Sequence, residues 1–438
     1  LGSPIVGGFL PFPATNVHDE LHARCLVLDD GQTKLALVVL DLLLLDRDLC
    51  SSARKLIEQE VGIPAENVLI SAVHTHSATL AGNGPFPFSP QVDNYPGFFV
   101  RRIVDGVRCA ANQLRPAQLA FTTVEAPEHV FNRRWFLKPD AMPPNPFGGV
   151  DQVKMNPPAG KPYLVKPAGP TDPTVSILAV REPDGRPIAV YSAYSLHYVG
   201  GVGRGDISAD YYGMYCTRLE GLLHGDQQDP PMVAMMANGT SGDVNNINFL
   251  HPRPPKQPYE QMRFVADDLA AKVHAALAKA EYRDQVTLAS RFREPMIARQ
   301  QPTAAQIAWA KERLGKPAPK PGETDLTYIY ARRVVDMVGR EPLVAVPLQV
   351  LRIGPVCIGT MPGEPFCEIG LEFRKRSPVQ PAFLVELAHG SFGYIPTARH
   401  FELGGYETWL GSCAFEPHAS EKILDTLLEM VTEVRDAK

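Results

Sequence analysis

The sequence has no excess of positive charge, no long uninterrupted apolar run, no Cys-X-X-Cys pair and no internal repeat. Its 43 lysines and arginines stand against 48 aspartates and glutamates, a formal net charge of -5. Such a balance supplies no basic surface to track a phosphate backbone, which excludes nucleic acid as the main partner. The apolar stretch from Leu35 to Leu45 is broken by Asp41 and falls short of the roughly 18 to 20 residues that a membrane-spanning helix needs. The seven cysteines (Cys25, Cys50, Cys109, Cys216, Cys357, Cys367, Cys413) are odd in number and scattered. They indicate neither a disulfide framework nor a structural zinc knuckle, and are expected as small core residues. The glycine run from Gly200 to Gly205 follows a histidine, lacks the G-x-x-x-x-G-K-[ST] pattern and has no acidic residue placed to read a ribose, so a nucleotide fold is set aside.

What is present is ordinary for a globular chain with a large core: 438 residues, 45% hydrophobic and 21% charged. Apolar strand-like runs alternate with segments of helical periodicity. The hairpin Cys25–Leu28 to Leu35–Leu40 precedes a helix from Asp46 to Val61, stopped by Gly62 and Pro64. Asn67 to Val73 then reads as a buried strand, Ala81 to Pro96 as loop, and Gly97 to Leu114 as helix. Pro139 to Pro173 is rich in proline and glycine and reads as a long loop forming a lid or pocket wall. A second hairpin (Val175–Val180, Ile188–Tyr194) and a strand from Pro231 to Met236 follow. Helices are expected over 210–223, 257–280, 303–314 and 419–434, and further strands over 344–353, 356–360 and 383–388. The expected architecture is α/β, mixed β-sheets flanked by helices, as a single large domain over 1–438. The first residue is Leu1 rather than Met, which suggests an upstream segment such as a signal peptide has been removed; localisation stays open, with a secreted or periplasmic setting as one option.

Chemistry collects where strands end. His74 and His76 follow the strand from Asn67, and residues two apart on an extended backbone share a face. Imidazole is both a metal ligand and a proton carrier near neutral pH, so this pair is a candidate metal site, the alternative being two satisfied histidines at a strand end, and it needs partners from elsewhere in the chain. His197 follows another strand, the polar loop Asn238 to Asn246 a third, and Glu364 a fourth. Two histidines and a carboxylate with an open position make a catalytic zinc set. Asp41, at another strand end, is a candidate polar group or a turn residue. Asn238-Gly239-Thr240 has the form of a glycosylation sequon, but lies too close to the site to be an acceptor.

These pieces resemble the neutral/alkaline, non-lysosomal ceramidases. The resemblance rests on His18 to Arg24 with Asp41, Asn67 to Ser77, Asn132-Arg133, Asp206 to Gly213 after His197, Asn238 to Asn245, Met361 to Glu364, and Gly393 to Glu407. They occur in family order and span nearly the whole chain. The resemblance implies an enzyme that hydrolyses the amide of an N-acyl sphingosine or related N-acyl lipid, with one Zn²⁺ per chain held by His74, His197, Glu364 and a tyrosine, best matched by Tyr394. It further implies that His76, Arg133 and Tyr406 surround the scissile amide; Tyr406 is the competing tyrosine ligand. Two departures follow. Asn245 stands where those enzymes carry a serine after Gly-Asp-Val, so its amide must replace a hydroxyl. The sequence stops where those enzymes continue into an immunoglobulin-like carboxyl-terminal domain. Alternatives are a metal-binding homologue without turnover, hydrolysis of another amide or ester, and an amidohydrolase-type barrel, which also carries His-X-His on a strand.

Overall fold

Leu35 to Leu40 is apolar at every position because the strand it forms is covered on both faces. In the computed structural model, which describes residues 1–79 and 95–436, this strand (Lys34–Leu40) is the middle of three. It pairs antiparallel with Ala23–Asp29 and parallel with Val68–Ala72. Side chains alternate across it: Ala36, Val38 and Leu40 pack with Ile57, Ile103, Val104 and Val107 of two covering helices, while Leu35, Leu37 and Val39 join the central core with Ile177 and Ile358. The crossover between the parallel strands is the helix Arg47–Val61. Asp46 caps its start by accepting from the N–H groups of Asp48 and Leu49, and Gly62 ends it at φ 77°, a left-handed conformation that costs a Cβ-free residue little.

Two further sheets repeat the scheme. The five-stranded sheet runs Val233–Asn238, Pro187–Tyr194, Thr174–Arg181, Gln118–Glu125, Tyr282–Arg283, and only its first two strands are parallel. Helices Asp210–Leu222 and Glu260–Leu277 cover it with Tyr211, Tyr215, Val265 and Leu269. The four-stranded sheet runs Leu288–Arg293, Leu348–Ile353, Val356–Thr360, Ala382–Val385, with its last pair parallel. The final helix, Ala419–Asp436, seals it through Ile423, Leu427, Met430 and Val431. In each sheet the parallel pair directs two strand ends the same way, and from these ends leave the loops holding His74, His197, Asn238 to Asn246 and Glu364. Separate mixed sheets are not the closed parallel barrel of the amidohydrolase alternative.

Three expectations need correction. Pro139 to Pro173 is not loop throughout: Val153–Met155 and Leu164–Pro167 flank Arg134–Leu137 in a small antiparallel sheet. Strands this short, separated by Pro157, Pro158 and Pro162, show too few alternations to register as a pattern. The strand expected over 344–353 divides into Leu343–Ala345 and Leu348–Ile353 around Pro347, which has no N–H for a ladder. Helices Leu326–Met337 and Cys367–Arg376 and the strand Gln118–Glu125 were not anticipated. The loop expected from Ala81 to Pro96 lies outside the described residues, save its last two, which open the helix Tyr95–Asn112. Among the described residues no helix is long and apolar enough to cross a membrane, and all seven cysteines are free.

Candidate metal centre

His74 and His76 converge, though not by strand alternation. The strand stops at Ala72, and His74 sits at φ 76°, held by its N–H to the Leu42 carbonyl at 2.9 Å. A non-glycine residue in this region is strained and persists only where its surroundings hold it. The turn brings His74 Nε2 to 3.1 Å from His76 Nε2, and the two nitrogens come together with one from His197: the three histidines offer ring nitrogens all within 4.8 Å of one another. His74 and His197 are buried and His76 partly so. The two buried rings are oriented from behind. His74 Nδ1 lies 2.8 Å from the Leu43 carbonyl, and His197 Nδ1 lies 3.2 Å from both the carbonyl and Oγ of Ser241. A carbonyl only accepts, so each Nδ1 carries the proton and each Nε2 turns a lone pair inward.

Glu364 completes the cluster. Its Oε2 lies 3.3 Å from His74 Nε2 and 3.7 Å from His197 Nε2, is buried, and has no hydrogen-bond partner. Ligands about 2.0 to 2.1 Å from a tetrahedral ion stand roughly 3.3 Å from each other, so these spacings and the orphaned oxygen fit a zinc-sized cation. His76, read from the sequence as a proton carrier, offers a ring nitrogen to the same cluster. Its ring stacks on Tyr198 at 3.7 Å between centroids.

The remaining site residues gather on one side. Glu364 and Tyr394 are direct partners in a short parallel ladder. The Arg133 guanidinium carbon lies 5.3 Å from the Tyr394 ring centroid, and Tyr406 meets that ring edge-on at 5.6 Å. Burial, then the Glu364 charge, push the Tyr394 phenol well above its ordinary value, so a phenolate there needs a cation beside it. Arg133 is buried, donates to the Gly242 carbonyl at 2.7 Å, and faces Glu407 at 3.3 Å. Asn245 is buried next door, but its amide nitrogen donates to Asn156 at 2.6 Å and its oxygen accepts from Ile247 N–H at 2.9 Å. Both ends of the amide are therefore engaged within the loops.

Some sequence features resolve differently. Asp41 is buried, paired with Arg24 at 2.5 Å and accepting from the His22 N–H at 2.9 Å, so its carboxylate is engaged within the fold. Asn238 is fully buried against the Val73 carbonyl, closing it to glycosylation. The N–H groups of Val199 and Gly200 are both taken by Asp210 at 2.9 Å, so the glycine run presents them to a carboxylate of the chain itself. Glu128, His129 and Asp268 form a second acidic group, but the Lys272 ammonium is paired with both carboxylates there. Tyr198, Ser241 and Glu407 were missed. Each stands beside a residue or inside a motif already singled out, and only folding shows where its side chain goes.

Burial pushes all three imidazoles below the ordinary 6.5: His74 against the opposing charge of Glu364, His76 with help from His74, and His197 with help from Arg133. The unfolded chain therefore binds protons near pH 6.5 that the folded one refuses. The resulting stability is full above that pH and is lost as pH falls. The urea midpoint of metal-free protein is expected to drop between about pH 7 and about pH 5; an unchanged midpoint would contradict a neutral triad.

No family model matches the sequence. Solved structures do match the fold. A ceramidase solved as its complex with C2 superposes with a TM-score of 0.72 at 16% identity, over 99% of this chain and 73% of that one. The neutral ceramidase from Pseudomonas aeruginosa gives a TM-score of 0.65 at 16% identity, with the same coverage. At this divergence the likeness speaks for architecture: the chain has the mixed α/β fold of neutral ceramidase over nearly its whole length.

Proposed function

We propose that this chain is a zinc-dependent amide hydrolase of ceramidase type, acting on an N-acyl sphingosine or related N-acyl lipid. The observation that carries the reading is the orphaned Glu364 Oε2 facing the Nε2 atoms of His74 and His197. His74, His197, Glu364 and Tyr394 would hold one Zn²⁺; when bound, it supplies a Lewis acid to a carbonyl and acidifies water near neutral pH. The residues around it have separate tasks. Arg133 and Tyr406 donate to the carbonyl oxygen as it gains charge, or fix a polar headgroup. His76, kept neutral by its surroundings, accepts a proton and delivers it to the departing amine, a role typically worth about 10²-fold to 10⁴-fold.

Asn245 favours a second reading on the same site. An amide engaged at both ends by Asn156 and Ile247 is not free to do what a serine hydroxyl does. This supports a metal-binding homologue with another amide or ester as substrate, or with none. A panel of N-acyl sphingosines, simpler N-acyl amino alcohols and esters, assayed on zinc-loaded protein, separates the two. Turnover of the sphingosine amide at a rate above the others supports the ceramidase reading. Faster turnover of simple esters, or none at all with metal bound, removes it.

A further inference from the structure

Behind His197 runs a chain of contacts that the catalytic reading leaves unused. Its Nδ1–H faces the Ser241 carbonyl and Oγ, each at 3.2 Å. Ser241 is in turn clamped by one carboxyl group: its N–H donates to Glu386 Oε2 at 3.0 Å and its hydroxyl to Oε1 at 2.8 Å. Because the hydroxyl proton is committed to Glu386, Oγ meets His197 as an acceptor. Glu386 is fully buried and follows the strand Ala382–Val385, and its own N–H is anchored on the Asn238 carbonyl at 3.0 Å. Both its oxygens are turned to Ser241 rather than to a cation. Burial pushes this carboxyl well above the usual range, and the nearby charge of Glu364 counts against ionisation too. Placing such a group in the interior costs stability.

We propose that Glu386 is a positioning residue for the metal centre: by clamping Ser241 on two sides it fixes the ring orientation and tautomer of His197 and strengthens Nε2 as a donor. Outer partners of ligating histidines act in this way and typically matter about 10-fold to 100-fold in metal affinity. The inference rests on the metal-centre reading above and assigns a role to two residues outside its ligand set.

The test is the affinity of the protein for Zn²⁺ and Co²⁺ by chelator competition, with the visible absorption of the cobalt form as a report on ligand geometry. Ser241→Ala and Glu386→Gln are each expected to weaken binding about 10-fold to 100-fold and to shift the cobalt spectrum. The double variant should lose no more than the larger single loss, because the two residues act in series. Ser241→Thr, which keeps the hydroxyl, should restore most of the affinity. Unfolding midpoints of the metal-free proteins check that the fold survives; should Glu386→Gln fail to fold, Ser241→Ala carries the test alone, since it only removes one atom. Affinity unmoved in Ser241→Ala, or losses that add in the double variant, would overturn the proposal while leaving the metal centre in place. No metal bound by the unmutated protein would overturn both.

Discussion

Glu364→Ala is expected to empty the metal centre and to lower amide hydrolysis by at least about 10³-fold, equivalent to about 4 kcal/mol at the barrier. The size follows from what the side chain faces. Two neutral imidazoles offer lone pairs but no charge to offset a dication, and the carboxylate supplies charge at 3.3 and 3.7 Å from their Nε2 atoms. It also stands opposite Tyr394 in the ladder, so its loss removes the neighbour of a second proposed ligand. Glu364→Gln keeps the volume and one oxygen but loses the charge, and should retain the fold with little metal. Metal analysis and turnover on the same samples check this; a Glu364→Ala protein that keeps its metal would refute the assigned ligand set.

The second large effect is on stability. Glu407 is fully buried between two buried guanidiniums, facing Arg133 at 3.3 Å and paired with Arg134. Arg134 has further support from the Gly404 carbonyl at 2.5 Å and lies over the Phe366 ring. Replacing such a pair with apolar groups can be neutral, but removing one partner leaves charge buried without compensation and costs about 3 to 5 kcal/mol. Glu407→Ala should therefore be destabilised by about that amount in urea unfolding. It should also lower turnover, because Arg133 is held over Tyr394 partly from Glu407. A loss below about 1 kcal/mol would place Glu407 among the ordinary surface ion pairs, against its burial.

Much of this was legible in the sequence wherever local pattern decided structure. Leu35 to Leu40 announced a strand, and Asp46 with Gly62 bracketed the helix that follows it. His74, His197 and Glu364 could be ranked as a group because each follows an apolar run, and the fold places those run ends side by side. What stayed hidden depends on contacts between distant segments. The left-handed backbone of His74 replaced the simple alternation that its neighbours implied. Glu407, a single carboxylate after Tyr406, becomes a buried counter-ion only when 133–134 and 404–407 meet. Glu386 reads as one polar residue inside an apolar strand, and its partner Ser241 lies 145 positions away. Asn245 was recognised as a departure, yet only the fold shows its amide taken by Asn156.

The most direct test of the central claim is the metal content of the purified, unmutated protein, measured beside its hydrolysis of a fluorogenic short-chain N-acyl sphingosine. The account predicts about one zinc per chain, with hydrolysis lost on chelation and restored by added zinc. Protein that is folded, free of metal and unable to take up zinc would contradict it.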